Sequence, residues 1–160
     1  MKESTRVFGA EFNDDLGNFG IVRAGSIYRG RQPTEQGFRS LAILGVKTIV
    51  NLRAHPYGGE DELIKSLGMN QVLFPMVQIE SPDAAKLKAL IAQIALPVYP
   101  VYIHCAEGKD RTGAICGCIR ATEGWDYKTE ILPEMYSYGH NPIFEPMRGT
   151  IETFIKESAK

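Results

Sequence analysis

Short apolar runs and longer segments of mixed polarity alternate along this 160-residue chain. The short runs are rich in β-branched and aromatic residues, which favour strands, and they fall at 20–23, 27–29, 46–52, 71–74 and 98–103. The longer segments carry apolar residues three or four positions apart, which is the spacing of one helix face. Strands that alternate with helices predict an α/β fold with a central, mostly parallel sheet flanked by helices.

End signals bound the predicted helices in the first part of the chain. Thr34 and Gly45 enclose the first helix, because threonine caps a helix start and glycine adopts the left-handed conformation at its end. A second, acidic helix is predicted over 60–67. Ser81 is the expected cap of a third helix, with Pro82 in its first position.

The pattern beyond residue 113 is helical almost to the end of the chain. A helix over 114–122 is predicted to present one mostly apolar face to the core. Asp126 is the expected cap of the next segment, which Pro133 kinks or restarts. A last helical region is predicted to open at 141–142. It contains two helix-breaking residues where we expect an interruption, Pro146 and Gly149.

Length and composition predict a single domain, because 160 residues that are 44% hydrophobic suffice for one ordinary core. Residues 1–16 are polar and aperiodic, so we expect an N-terminal arm ahead of a domain over 17–160. The formal net charge of -1 provides no basic surface, and nucleic acid is not an expected partner. No apolar run is long enough for a membrane span, and a cytoplasmic monomer is expected.

The three cysteines, Cys105, Cys116 and Cys118, cluster in one stretch of the chain. This clustering is untypical of a disulfide framework and indicates a reducing compartment. Cys116 and Cys118 are expected to pack as small apolar residues on their helix. The three histidines are scattered and no spacing resembles a metal site, so neither a metal nor a cofactor is predicted.

The segment from His104 to Gly113, HCAEGKDRTG, joins a predicted strand to a predicted helix. At such a junction the backbone amides converge on one point, and the positive end of the helix dipole faces the same point. This field and the Arg111 guanidinium favour a thiolate, so Cys105 is the predicted nucleophile. The expected phosphate cradle consists of consecutive residues, namely Ala106, Glu107, Gly108, Lys109, Asp110 and Arg111.

Other polar residues in and around this segment have expected supporting roles. Arg111 carries a planar fork that can hold two phosphate oxygens. Thr112 can donate its hydroxyl to the cysteine sulfur and so help the thiolate leave a phosphocysteine intermediate. His104 is expected to support the loop through hydrogen bonds to nearby backbone. Three further arginines are expected to rim the pocket or, with greater weight, to form ordinary surface salt bridges: Arg29, Arg31 and Arg53.

The HCAEGKDRTG segment resembles the signature loop of the protein-tyrosine-phosphatase superfamily, whose members use the cysteine as nucleophile and the arginine as phosphate clamp. Similarity over 17–139, including the segments 19–22, 27–29 and 44–53, is to the compact atypical dual-specificity phosphatases of plants and fungi. The resemblance implies a cysteine-phosphatase fold over 17–160. It also implies a phosphomonoesterase that acts on an inositol phosphate or a phosphoprotein, with tyrosine or dual specificity.

Two charged residues within the loop bear on the substrate. The Lys109-Asp110-Arg111 run resembles loops of inositide-directed phosphatases, and Lys109 can bind a second phosphate of a polyphosphorylated substrate. Glu107 has the opposite effect, because an acid repels additional phosphates unless it points away or pairs with Lys109. The sequence therefore leaves both substrate classes open.

The general acid is not where many relatives place it. Such enzymes carry an aspartate on a separate upstream loop that protonates the leaving oxygen. Here Pro75 is followed by methionine rather than aspartate. Asp110 ranks first among the candidates, because some myotubularin-like enzymes are thought to use this position. Asp83, at a predicted helix start, and Glu80, in a loop, are the alternatives.

Two other functions fit a cysteine in an anion-binding loop. A rhodanese-like sulfurtransferase also surrounds a loop cysteine with amides, although the Arg111-Thr112-Gly113 run argues against it. A non-catalytic phosphate-binding module is the second alternative. It is disfavoured by an intact Cys105 and favoured by the missing acid.

Overall fold

Six strands form one sheet in the computed structural model, which describes residues 5–6 and 14–160. The strands are β1 (Thr5–Arg6), β2 (Gly20–Arg23), β3 (Ile27–Gly30), β4 (Thr48–Asn51), β5 (Asn70–Leu73) and β6 (Val101–His104). Their spatial order is β1-β2-β3-β6-β4-β5. The first three strands pair antiparallel, and β3, β6, β4 and β5 pair parallel. Strands β2 and β3 form a hairpin, and the predicted mostly parallel sheet is confirmed.

Helices cover both faces of the sheet. The described residues form α1 (Glu35–Leu44), α2 (Glu60–Ser66), α3 (Ala84–Ile94), α4 (Asp110–Thr122), a π-helical turn (Tyr127–Ile131), α5 (Leu132–Ser137) and α6 (Glu145–Ser158). The helices α1 and α2 pack on one face, and the later helices pack on the other. Not one of the helices in the described ranges combines the length and the apolarity that crossing a membrane requires.

Alternate residues of the central strands face these two layers. Ile49 of β4 and Tyr102 of β6 pack with α1 and α2, whereas Val50 and Ile103 pack with the helices of the other face. This alternation follows from the two-residue period of a strand. Because both faces are covered, β6 is buried along its whole length. The α/β fold class predicted from the sequence is confirmed.

The chain order of the strands places the site. After β5, helix α3 carries the chain back, and β6 inserts between β3 and β4. The connection after β3 leaves toward the face of α1, and the connection after β6 leaves toward the opposite face. In open α/β sheets a ligand crevice forms where neighbouring connections diverge in this way. Cys105 directly follows β6 and therefore lies at this crevice.

Two predicted element starts are wrong. The strand predicted over 98–103 begins at Val101, and Val98 and Tyr99 are 88% and 64% exposed. The backbone bends at 98 and 99, and the Pro100 carbonyl that follows accepts from the amides of Lys47 and Thr48.

The cap of α3 is Asp83 rather than the predicted Ser81. The Asp83 carboxylate accepts a hydrogen bond from the Lys86 amide at 2.9 Å. Ser81 instead donates its hydroxyl to the Pro146 carbonyl at 3.1 Å.

The C-terminal helices also differ from the prediction. Helix α4 is buried on all sides through residues 110–120 rather than along one face, because the sheet and α6 enclose it. Gly117 permits this approach, since a Cβ there would lie 2.4 Å from Ile151 Cδ1. Helix α6 begins at Glu145 and continues through Gly149 without the predicted break. Pro146 stands in its first turn, where a missing N–H costs nothing.

The N-terminal residues contribute more structure than an irregular arm. Thr5–Arg6 pairs with β2, and Leu16, assigned to the arm, is fully buried with Phe19 and Phe38. The other residues before Asp14 lie outside the described part of the chain. The division into an arm over 1–16 and a domain over 17–160 stays a prediction.

A buried ion pair fastens the helical layer to the sheet. Arg120 of α4 donates from Nε and Nη2 to the two carboxylate oxygens of Glu134 in α5, at 2.9 and 3.0 Å. Its Nη1 also donates to the Val22 carbonyl of β2 at 2.6 Å and to Glu123 at 3.1 Å. The guanidinium lies 4.0 Å from the centre of the Trp125 ring. One side chain therefore joins α4, α5 and β2.

Removing Glu134 is expected to destabilise the fold strongly. A Glu134→Ala variant leaves a largely buried guanidinium with one carboxylate fewer, so we expect a loss of about 3 kcal/mol in the free energy of unfolding. Glu35→Ala is the control, because the Arg39–Glu35 pair is exposed and its loss is expected to cost less than about 1 kcal/mol. Urea denaturation of both variants measures the difference. Equal losses would contradict the bracing role of Arg120.

Candidate active site

The predicted phosphate loop, residues 105–109, connects the end of β6 to the start of α4. Because α4 begins at Asp110, the free amides of its first turn and the positive end of its dipole face this loop. Cys105 is buried, while Ala106 and Glu107 are exposed. Gly108 has a φ of 70°, and a Cβ there would lie 2.5 Å from the carbonyl carbon of Gly30. Only glycine allows the loop to lie against the end of β3 in this way.

The predicted hydroxyl and guanidinium partners lie in the first turn of α4. The Thr112 hydroxyl is buried and donates to Cys105 Sγ at 3.1 Å. Arg111 is 9% exposed, and its Nη1 donates to the Met76 carbonyl at 3.4 Å. The Arg111 Nε is buried and has no hydrogen-bond partner among the described residues. The structure thus brings Cys105, Arg111 and Thr112 together at one end of one helix.

His104 supports the loop, as predicted. Its Nδ1 lies 3.1 Å from the Cys105 carbonyl oxygen, which can only accept, so Nδ1 is the donor. Burial lowers the pKa of His104 to about 4, and the hydrogen bond to the Cys105 carbonyl opposes this effect only in part. The imidazole is therefore neutral at physiological pH. It fixes the backbone without adding a charge to the site.

Two side chains hold the outer carbonyl groups of the loop. The Asn18 side-chain amide donates to the carbonyls of Glu107 at 3.2 Å, Gly108 at 3.1 Å and Tyr138 at 3.0 Å. All three partners are acceptors, so the assignment of the amide nitrogen is unambiguous. Arg29 Nη2 donates to the Gly108 carbonyl at 3.1 Å. These bonds turn the carbonyls away from the point that the amides face.

The three arginines expected to form surface salt bridges have other partners. Arg29 is 1% exposed, and its guanidinium lies 3.6 Å from the centre of the Tyr138 ring. Arg31 donates to the backbone carbonyl of Asp14. Arg53 donates to the Gln32 side chain at 3.0 Å and lies over the Tyr57 ring. None of the three forms the expected salt bridge with another described residue, because backbone carbonyls, an amide and aromatic rings contact these guanidinium groups.

Asp110 is held by the turn that follows α5. Its Oδ1 lies 2.6 Å from Nδ1 of His140 and accepts the backbone amide of Asn141 at 2.8 Å. Both Asp110 and His140 are buried. No described residue donates a hydrogen bond to the other carboxyl oxygen, Oδ2. His140 and Asn18 are the site residues that sequence reasoning missed, because no local pattern links positions 18 and 140 to the loop.

The two alternative acids lie in the segment between β5 and α3. The Asp83 carboxylate is exposed and caps α3, so one of its oxygens is already occupied. Glu80 is exposed in the loop that precedes this cap. The structure does not bring either carboxylate into hydrogen-bonding contact with the phosphate loop, within the described ranges.

Glu107 and Lys109 form an exposed ion pair at the outer side of the loop. The Lys109 Nζ lies 3.5 Å from Glu107 Oε2, and the side chains are 42% and 70% exposed. The stem of Lys109 lies against Gly139, where a Cβ would be 3.2 Å from Lys109 Cε. The acid therefore pairs with the lysine rather than standing alone at the site.

The remaining cysteines belong to the core. Cys116 and Cys118 are buried in α4, and burial raises the pKa of Cys116 to about 11 and that of Cys118 further. Both thiols are thus protonated at physiological pH and pack as the predicted apolar residues. Across the described residues, no group of three or more histidine, cysteine or acidic side chains is arranged to hold a metal ion.

Comparison with known proteins agrees with this geometry. The sequence profile described as the tyrosine phosphatase family matches residues 15–160. The chain belongs to the tyrosine phosphatase family. This result confirms the resemblance noted for the HCAEGKDRTG loop and extends it over almost all of the described chain.

Several relatives of this family member have names that describe an activity. Inositol diphosphatase DSP3 of Arabidopsis thaliana is 33% identical over 68% of this chain and 56% of its own length. Inositol diphosphatase SIW14 of Saccharomyces cerevisiae is 34% identical over 68% of this chain and 41% of its own length. The probable tyrosine-protein phosphatase DG1060 of Dictyostelium discoideum is 32% identical over 79% of this chain and 78% of its own length. The match thus spans only about half the length of the plant relative.

Solved structures share the fold of this family member. The core catalytic domain of the PP-IP phosphatase SIW14 from S. cerevisiae, in complex with citrate, has a TM-score of 0.76 at 27% identity, over 89% of this chain and 88% of that one. TpbA of P. aeruginosa has a TM-score of 0.73 at 21% identity, over 89% and 91% of the two chains, and this likeness concerns the fold alone. The predicted cysteine-phosphatase fold is confirmed.

Loss of the Asn18 side chain is expected to weaken anion binding at the loop. Asn18→Ala and Asn18→Gly both remove the donors to the Glu107 and Gly108 carbonyls, so we expect about tenfold weaker binding of inorganic phosphate in calorimetry. Asn18 has a φ of 55°, which glycine adopts freely and alanine does not. Only the alanine variant is therefore expected to lose a further ~1 kcal/mol of stability. Phosphate affinity that is unchanged in Asn18→Gly would refute the tethering role.

Proposed function

We propose that this protein is a cysteine-dependent phosphatase that hydrolyses phosphate monoesters through a phosphocysteine intermediate on Cys105. The observation that carries the proposal is the position of Cys105 Sγ beside the N-terminus of α4, 3.1 Å from the Thr112 hydroxyl. The free amides of the first turn of α4 and the positive end of its dipole favour an anionic group at this place. Membership in the tyrosine phosphatase family supports the same chemistry.

In the first step the Cys105 thiolate attacks phosphorus, an S–P bond forms, and the P–O bond to the leaving group breaks. The leaving oxygen takes a proton from a general acid. Amides of residues 106–111 and the Arg111 guanidinium stabilise the charge on the transferred phosphoryl oxygens. The buried Arg111 Nε lacks an acceptor among the described residues, and a phosphate oxygen supplies one.

In the second step water attacks phosphorus, and the S–P bond breaks to release phosphate and the thiolate. The acid of the first step, now a carboxylate, takes the proton of the attacking water. Thr112 donates its hydroxyl to Sγ and so stabilises the departing thiolate. Every step uses groups of the chain and water.

Asp110 is the acid we favour among the three predicted candidates. It immediately precedes Arg111 in the loop, and its Oδ2 accepts no hydrogen bond from the described residues. Asp83 is the weaker candidate, because its carboxylate caps α3. Glu80 does not cap a helix, but it lies exposed in the segment before α3.

The proposed substrates are inositol phosphates and phosphoproteins. Relatives named inositol diphosphatases support the first class, and a relative named a probable tyrosine-protein phosphatase supports the second. The exposed Lys109–Glu107 pair bears on the choice, because such a pair is worth at most about 1 kcal/mol and a second phosphate can displace Glu107. Lys109 is thus available to a polyphosphorylated ligand at small cost.

Two alternatives remain as outcomes of the same assays. A sulfurtransferase would convert cyanide and thiosulfate into thiocyanate, and family membership argues against it. A phosphate-binding module would bind phosphorylated ligands tightly without releasing phosphate. The buried Thr112–Cys105 hydrogen bond favours turnover over binding alone, since it serves the departure of the thiolate.

Phosphate release is expected to depend on Cys105 and to be independent of metal. We expect Cys105→Ser to lose at least about a thousandfold in kcat/KM, because serine is a far weaker nucleophile in this field. A chelator is expected to leave the activity unchanged. Cys116→Ser is the matched control, because that thiol is protonated and packed in α4. Release of phosphate by Cys105→Ser at the normal rate would overturn the proposal.

Charge-neutral variants of the outer ion pair are expected to separate the substrate classes. Glu107→Gln removes the repulsion of a second phosphate, so we expect about a fivefold higher kcat/KM on a polyphosphorylated inositol. Lys109→Gln is expected to lower the same value by a similar factor. A singly phosphorylated tyrosine peptide is the control and should change less than twofold with either variant. Equal responses of both substrates would show that Lys109 contacts no second phosphate.

A further inference from the structure

The turn over 138–141 contacts Lys109 at the end of the loop and Asp110 at the start of α4, and Asn18 links it to Glu107 and Gly108. Asn18 links its Tyr138 carbonyl to the carbonyls of Glu107 and Gly108. The stem of Lys109 packs on Gly139. His140 and the Asn141 amide both contact Asp110 Oδ1. This turn therefore forms one wall of the loop, although it follows the loop by about thirty residues.

The protonation state of His140 follows from its surroundings. Burial lowers the pKa of His140, while the carboxylate of Asp110 raises it and Arg148 of α6 lowers it further. The Tyr136 ring lies 5.5 Å from the imidazole, and two further cations lie near the turn: Arg29, over the Tyr138 ring, and Lys109, against Gly139. A neutral imidazole has one N–H, and Nε2 is buried without a partner. The proton therefore resides on Nδ1 and is donated to Asp110 Oδ1.

The two carboxyl oxygens of Asp110 have different surroundings, because both hydrogen-bond donors contact Oδ1. Oδ1 accepts from His140 and Asn141, and Oδ2 accepts from no described residue. A proton is consequently carried on Oδ2 in the acid form. When this proton passes to the leaving oxygen, the carboxylate that remains is stabilised at Oδ1, and Oδ2 is free to take the proton of the attacking water.

We propose that His140 is a positioning residue for the reaction, which holds Asp110 Oδ1 through its Nδ1–H so that Oδ2 delivers and recovers the catalytic proton. This inference rests on the proposed phosphatase function with Asp110 as the acid. His140 itself does not touch the substrate. Its contribution acts on the orientation of the Asp110 carboxyl group, which distinguishes it from a residue that merely fills space in the core.

The test compares two substrates that differ in their need for an acid. Phenyl phosphate has a poor leaving group, and p-nitrophenyl phosphate has an activated one. We expect Asp110→Asn and His140→Gln each to lower kcat/KM on phenyl phosphate by about a hundredfold and on p-nitrophenyl phosphate by less than fivefold. His140→Asn is the rescue variant, because its side-chain amide can place an N–H near the position of Nδ1, which the longer glutamine overshoots. A purely structural role of His140 would lower kcat/KM on both substrates equally.

The outcomes separate this inference from the function on which it rests. No phosphate release by the wild type would refute the phosphatase itself. An active wild type with Asp110→Asn insensitive to the leaving group would refute the acid and, with it, the role of His140. A third outcome is that the loss of kcat/KM depends on the leaving group in Asp110→Asn but in neither His140 variant. This result would support Asp110 as the acid and refute only the role of His140. Thermal melting of each variant checks that it is folded, and His140→Asn activity equal to that of His140→Gln would also count against the inference.

Discussion

The orientation of the peptide units in the phosphate loop is the constraint on which the site depends. The amide and carbonyl of a planar peptide unit point in opposite directions, so amides that converge on an anion require carbonyls that point outward. Asn18 and Arg29 supply donors to those carbonyls, and the contact of Gly108 with Gly30 sets how closely the loop approaches β3. Asn18, in the turn before β2, and the buried Arg29 of β3 thus hold the backbone of the loop that follows β6.

The parts of the fold that sequence reasoning predicted depend on information held within a few neighbouring residues. Thr34 and Gly45 bound α1 as expected, because a cap acts on backbone groups in its own turn. Cys105 and Thr112 lie within one loop and one helical turn, so their spacing alone brings the Thr112 hydroxyl to the cysteine sulfur. The alternation of strands and helices was enough to predict the fold class. Strands that alternate with helices form a sheet with helices packed on its two faces, as the structure has them.

The features that escaped prediction depend on distant partners. His140 reaches Asp110 only because the turn after α5 lies against the start of α4. Arginine is usually a surface residue. Arg29 is buried because its guanidinium packs on the ring of Tyr138, which is far away in sequence. Helix α4 was expected to bury one face because its apolar residues recur at helical spacing. Arg120 of that helix is instead buried by its carboxylate and carbonyl partners on α5 and β2.

The contact of the 138–141 turn with the loop also determines what the smallest catalytic unit is. The ten-residue signature ends at Gly113, yet side chains as early as Asn18 and as late as His140 hold its backbone and its carboxylate. A graft of the signature onto another strand–helix junction would transfer the cysteine and the arginine but not these restraints. The motif is therefore not portable: its geometry belongs to the whole domain, and transplanting the activity would require the first hairpin and the turn after α5 as well.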